Sequence, residues 1–302
     1  MPSISSYFIK KGIKAGAKKL KLEEKEVAES RQVIDLFARK FSKLPNGCKV
    51  EQIEIEGIYA EWISNKQSVD DKVILYLHGG GYLYCSADTH RTLAARVMID
   101  SSVKVLLPEY RLAPEHPFPA AIEDILTIYR WLLKQGYDSS NIIFAGDSAG
   151  GGLSVAATHV LRDQYEPLPA ALVCLSPWVD LTSSGTSYRK NNEKDPYLRC
   201  DLVRKTAQAY AGDESLDNHF ISPVFADLSG FPPLFIQAGS IEILLSDAQM
   251  LADKADQAGV KVHFKVWEGM WHVWQISAGL PEAKKAIKEI GDFVKKTFSV
   301  RR

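Results

Sequence analysis

Five short, nearly unbroken apolar runs constrain this chain more than any other feature: "VILYL" (73–77), "VKVLL" (103–107), "NIIFA" (141–145), "ALVCL" (171–175) and "PLFIQ" (233–237). A strand with one wet face alternates apolar and polar residues, whereas runs like these belong to strands covered on both faces, as in a parallel sheet. Parallel neighbours need long crossover connections, normally helices. Helical patterns fall over 119–135, 149–164 and 245–258, and over 281–298 after a further strand-like run, "KVHFKVW" (261–267). The alternation predicts an α/β fold with a mostly parallel, doubly wound sheet flanked by helices. Before it, "CKVEQIEIEG" alternates at Val50, Ile53 and Ile55 and predicts an outer antiparallel strand.

Two regions depart from that rhythm. The first 22 residues carry Lys10, Lys11, Lys14, Lys18, Lys19 and Lys21, while Ile9, Ile13 and Ala17 recur every four residues. That spacing predicts an amphipathic helix with one face on the protein and its lysines in water. No continuous apolar segment follows the basic start, as a signal peptide requires. A second amphipathic helix is expected over 26–41, ended by Pro45-Asn46-Gly47. From 180 to 220 the chain is polar and lacks a strong strand, which is too long for a simple connection and predicts a cap inserted over a site. The expected organisation is a pair of N-terminal helices (1–45), an α/β core (46–179), a cap insertion (180–220) and the remainder of the core (221–302).

Composition narrows the partners. Lys plus Arg and Asp plus Glu number 37 each, so net charge gives no footprint for nucleic acid. No apolar stretch reaches the roughly 18–20 residues of a membrane span. Cys48, Cys85, Cys174 and Cys200 show neither disulfide nor zinc spacing, which points to reduced thiols in a cytoplasmic protein. No metal and no cofactor is called for.

The chemistry gathers where strands end, the edge at which open α/β sheets bind ligands. Run 141–145 leads directly into Gly146-Asp147-Ser148-Ala149-Gly150, a G-x-S-x-G between strand and helix. Small neighbours allow a sharp turn that exposes the serine Oγ at a helix N-terminus. Run 73–77 leads into His78-Gly79-Gly80-Gly81, a pattern expected by chance only about 0.002 times per chain. Bare amides there can face the oxygen of a tetrahedral intermediate, with His78 bracing the loop. His272, in "WEGMWHVWQ" after the last strand, is the best base for Ser148. His90, His116, His159, His219 and His263 read as surface or core residues. For the acid that orients the base, "AGSIEILLSDAQ" offers Glu242 and Asp247. Glu242 is preferred because it lies nearer the strand end. The order Ser148, Glu242, His272 is that of α/β-hydrolases.

Several blocks together resemble the hormone-sensitive-lipase-like (bacterial family IV) esterases of the α/β-hydrolase fold. They are "HGGGY" (78–82), "THRTLAARV" (89–97), "EYRLAPEHPFPAAIEDI" (109–125), "GDSAGGGL" (146–153), "SPWVDL" (176–181), "GSIEILLSD" (239–247) and "EGMWHVWQ" (268–275). The resemblance implies Ser148 as nucleophile, His272 as general base and Glu242 as acid. Many members have Asp followed by Pro at that last position, where this chain has Glu242-Ile243. It also implies an oxyanion hole from the amides of Gly79, Gly80 and Ala149, with loop support from His78 and Gly81. Tyr82, Asp147 and Trp178 are expected at the substrate pocket, Trp178 bounding the acyl group. The implied activity is a cofactor-free carboxylesterase cleaving short-to-medium acyl esters with water through an acyl-enzyme. The resemblance further implies a cap to which residues 1–45 contribute beside the 180–220 insertion, a catalytic core in the remainder, and a homodimer paired along 261–267. Two rivals are a receptor-like binding protein on the same fold and a lipase resting on membranes through its basic helix.

Overall fold

The computed structural model describes residues 2–20, 26–41 and 43–299. Its eight strands are β1 (Lys49–Ile55), β2 (Ile58–Ser64), β3 (Val69–Leu77), β4 (Val103–Pro108), β5 (Ile142–Asp147), β6 (Ala171–Leu175), β7 (Leu234–Gly239) and β8 (Val262–Trp267). They form one sheet in the order β1-β2-β4-β3-β5-β6-β7-β8. β1, β2 and β4 pair antiparallel, and every pairing from β4 through β3 to β8 is parallel.

Period-two alternation divides each apolar run between two cores. Val73, Leu75, Leu77, Phe144, Leu172 and Ile236 face one cluster, whereas Ile74, Tyr76, Ile143, Val173 and Phe235 face the other. The first is covered by α4 (Ala120–Lys134), α5 (Ala149–Asp163) and α8 (Leu245–Gln257), through residues such as Tyr129, Leu153 and Leu251. The second is covered by α3 (Ala87–Ser101) and α9 (Pro281–Ser299), through Leu93, Met98, Ile287 and Ile290.

Two elements go beyond the sequence expectation. β2 joins β1 through Glu56-Gly57, both at positive φ (51° and 84°), the geometry of a tight hairpin turn. Its centre holds Glu61, a charged residue that disguises a strand. Arg91 of α3 neutralises it through bonds of 2.6 and 2.7 Å. α3 itself buries Ala87, Thr89, His90, Leu93, Ala94, Ala95, Val97 and Met98. Burial around so much of its circumference erases the single apolar stripe that marks a surface helix.

The remaining helices stand over the carboxyl ends of the strands or beside them. In α1 (Ile4–Leu20), Ile9 and Ile13 pack on the cluster of Trp267, Met270, Trp271 and Trp274, with Lys11 and Lys14 exposed. The side chain of Ala17, and Lys18, Lys19 and Lys21, lie outside what is described. α2 (Val27–Phe41) is tied down by Arg31, which donates to the carbonyls of Leu83 and Ala113 and to Glu115. The 180–220 segment is ordered and carries α6 (Thr186–Asn191) and α7 (Cys200–Ala211). No described helix is long and apolar enough to cross a membrane.

Candidate active site

Ser148 stands between β5 and α5 with φ 53° and ψ −122°. A non-glycine residue there stores on the order of 1–3 kcal/mol of strain and persists only when its surroundings dictate it. They do so here. Its amide donates to the Leu175 carbonyl (2.8 Å), and its carbonyl accepts from the amides of Trp178 (2.9 Å) and Gly152 (3.1 Å). A Cβ on Gly150 would fall 2.0 Å from the Leu77 carbonyl oxygen, so the turn closes only with glycine there. Ser148 keeps 8% exposure at the end of this turn.

Glu242 and His272 follow β7 and β8, two and three strands across the sheet from β5. Glu242, fully buried after β7, accepts from the Gly239 amide at 3.1 Å. Its second oxygen lies 3.3 Å from Nδ1 of His272, which follows β8. Val273 holds the left-handed conformation (φ 48°), uncommon for a β-branched residue, and donates its amide to Ser176 Oγ. Burial by itself would lower the His272 pKa. The hydrogen bond and charge of Glu242, with further help from Asp195 and Asp147, reverse this and raise it above the ordinary value. Asp247 is equally buried, but its carboxylate accepts from the amides of Val179 and Asp180 and from the Tyr188 hydroxyl. It joins the cap insertion to α8 rather than partnering the histidine.

The three glycines of the loop are placed differently. The Gly79 amide points back at His90 Nε2, 3.4 Å away, and a Cβ on Gly79 would strike Asp147 Oδ2 at 2.2 Å. Gly79 therefore faces a buried network rather than the cleft. Among the described residues, the amides of Gly80 and Gly81 donate to no protein acceptor, and both residues have positive φ (116° and 64°). His78 supports the loop. Its Nδ1 donates to the Gly79 carbonyl (2.8 Å), and its ring stacks on Tyr110 with ring centres 4.3 Å apart. Burial lowers its pKa to about 4, so its ring is neutral.

The three expected pocket residues separate. Asp147 accepts from the Tyr76 hydroxyl (2.9 Å) and faces His90 Nε2 (3.2 Å), which makes it a brace behind the glycine loop instead of a pocket wall. His90, read from sequence as an ordinary histidine, belongs to this brace; only the fold brings it to Asp147. Tyr82 and Trp178 are buried, with ring centres 6.1 Å apart. Tyr210 of α7 stacks on Tyr82 at 3.7 Å. A Cβ on Gly81 would lie 2.7 Å from Thr206 and 3.8 Å from the Trp178 ring. α7 thus rests directly on the loop, through Thr206 and Tyr210, which sequence alone did not single out.

Comparison with known proteins agrees with this architecture. A family described as alpha/beta hydrolase fold matches residues 74–276. An acetyl-hydrolase from Streptomyces hygroscopicus is 42% identical over 237 residues, covering 78% of this chain and 79% of that protein. An esterase from Acinetobacter venetianus is 38% identical over 265 residues, or 87% of each chain. The crystal structure of an esterase from the bacterial hormone-sensitive lipase family superposes with a TM-score of 0.94 at 42% identity, covering 99% of this chain and 100% of that one. With that match, the chain belongs to the α/β-hydrolase fold and, within it, to the bacterial hormone-sensitive lipase family of esterases.

Proposed function

We propose that this esterase cleaves carboxylic esters through a Ser148–His272–Glu242 triad and an acyl-enzyme. The observation that carries the reading is the buried pair of His272 Nδ1 and Glu242, 3.3 Å apart after β8 and β7, together with Ser148 on the strained turn that ends β5. Engaging Nδ1 leaves Nε2 as the basic nitrogen. Ser148 Oγ attacks the ester carbonyl as His272 takes its proton, and Glu242 steadies the imidazolium. His272 then protonates the departing alcohol, and water repeats the cycle to free the acid and restore Ser148. Gly80, Gly81 and Ala149 supply the oxyanion amides, with Gly81 taking the place first expected of Gly79. Atoms balance with ester and water alone.

The acyl pocket is proposed to lie beside Gly81, bounded by Trp178 and by Thr206 of the cap. Close packing of both against this glycine supports short-to-medium acyl groups. The test is hydrolysis of p-nitrophenyl esters from acetate to palmitate, with Ser148→Ala in parallel. A short-chain optimum that disappears in the variant supports the reading. Activity retained in folded Ser148→Ala overturns it.

One observation favours a second reading of where the enzyme works. Ile4 (79%), Tyr7 (51%) and Phe8 (66%) are exposed on α1 beside Lys11. Apolar groups among lysines suit an anionic membrane surface. Co-sedimentation with anionic but not neutral vesicles supports this reading, and equal recovery from both opposes it.

A further inference from the structure

We propose that His159, Asp163 and His219 form a site for a divalent transition-metal ion, distinct from the catalytic centre. His159 and Asp163 are one turn apart near the C-terminal end of α5, while His219 comes from the segment after α7. One donor atom from each of the three lies within 4.8 Å of both others. His159 Nδ1 and Asp163 Oδ1 are 3.5 Å apart. Tetrahedral zinc, with bonds of about 2.0–2.2 Å, needs ligand atoms about 3.4 Å from one another, so this edge already has the right length. His219 is exposed, with its ring centre 5.1 Å from that of His159, and side-chain rotation closes the remaining gap.

A positive group already occupies the junction. Arg162 Nη2 lies 2.9 Å from both His159 Nδ1 and Asp163 Oδ1. A guanidinium only donates, so the Nδ1 that meets it presents its lone pair to that position, as a metal ligand must. Arg162 also has a separate hold. Nη1 donates to the carbonyls of Asp227 and Ser229, and the guanidinium lies 5.5 Å over the Phe231 ring. Nη2 can therefore yield to a metal while the side chain stays anchored. Two imidazoles and one carboxylate suit Zn²⁺, Ni²⁺ or Cu²⁺ better than Mg²⁺ or Ca²⁺, and water completes the coordination. The bound ion would join the end of the cap insertion to the helix whose other end carries Ser148.

Calorimetric titration of the chelator-treated full chain with ZnCl₂, repeated with NiCl₂, tests the site. The expected result is one equivalent bound, with a rise in Tm. His219→Ala and Asp163→Asn each weaken binding by about tenfold or more, and the exposed His116→Ala leaves it unchanged. Arg162→Gln, which removes the competing cation, binds more tightly than the parent. Absence of binding below millimolar metal overturns the proposal. So does an affinity that His219→Ala and Asp163→Asn leave untouched, which would place the ion at thiols or at His272.

Discussion

The strand ends of β5 to β8 and the two N-terminal helices obey opposite rules. At the strand ends, Glu242, Asp247, Asp147 and His90 are buried polar groups, and each has hydrogen-bond partners from distant parts of the chain. In the N-terminal helices, Ile4, Phe8 and Leu36 are apolar groups exposed to water. Buried polar groups tolerate little displacement, because an unpaired one costs on the order of 1–3 kcal/mol. Exposed apolar groups impose no such geometry. The difference teaches where variation is tolerated: the groups at the strand ends are fixed by burial, while the outer faces of α1 and α2 can change without leaving a buried group unpaired.

Substitutions can break or sharpen that contrast. Ser148→Ala should lower kcat by on the order of 10⁶ with the fold retained by circular dichroism. Loss of fold in place of activity would dissolve the distinction between turn and chemistry. Glu242→Gln should lower kcat by roughly 10³–10⁴. Asp247→Ala should instead cost about 1–3 kcal/mol in urea unfolding, since the Val179 and Asp180 amides lose their acceptor. If Asp247→Ala proves the more damaging to kcat in folded protein, the two acids must exchange roles.

The pH profile separates the same two acids. A raised His272 pKa means that the neutral base is lost sooner on acidification, so the acid limb of kcat/KM should have its midpoint above pH 6.5. In Glu242→Gln the carboxylate charge is gone, and that midpoint should move to lower pH. A midpoint that stays put would detach Glu242 from His272. Arg31→Ala, which frees α2 from the Leu83 and Ala113 carbonyls, should change KM severalfold and kcat little. The smallest effect on turnover is expected at the sheet edge. Val266 of β8 is 40% exposed there; we propose that this edge pairs in a homodimer, which Val266→Lys should convert to monomers in analytical ultracentrifugation with kcat unchanged.

Much of this was legible in the sequence because the signals were local. A continuous apolar run reports that both faces of a strand are covered, and a serine flanked by glycines reports a sharp turn. What stayed hidden depended on partners far along the chain. β2 reads poorly because Glu61 is neutralised by Arg91. The orientation of the Gly79 amide is set by His90 and Asp147, neither of which its own glycine-rich motif reveals. His159 and Asp163 do have helical i, i+4 spacing, yet the third member, His219, joins them only when the cap insertion folds back onto α5.

The stack of Tyr82 on Tyr210 has a consequence for the proposed preference for short-to-medium acyl esters. Tyr82 directly follows the glycines proposed to present the oxyanion amides, and Tyr210 belongs to α7. A substrate bulky enough to wedge α7 outward pulls at the same time on the loop that must receive the developing charge. Selection by size would then be felt in the speed of bond cleavage more than in the tightness of binding. A long ester could sit in the cleft and still turn over slowly, having spoiled the electrostatics it needs by the act of fitting in.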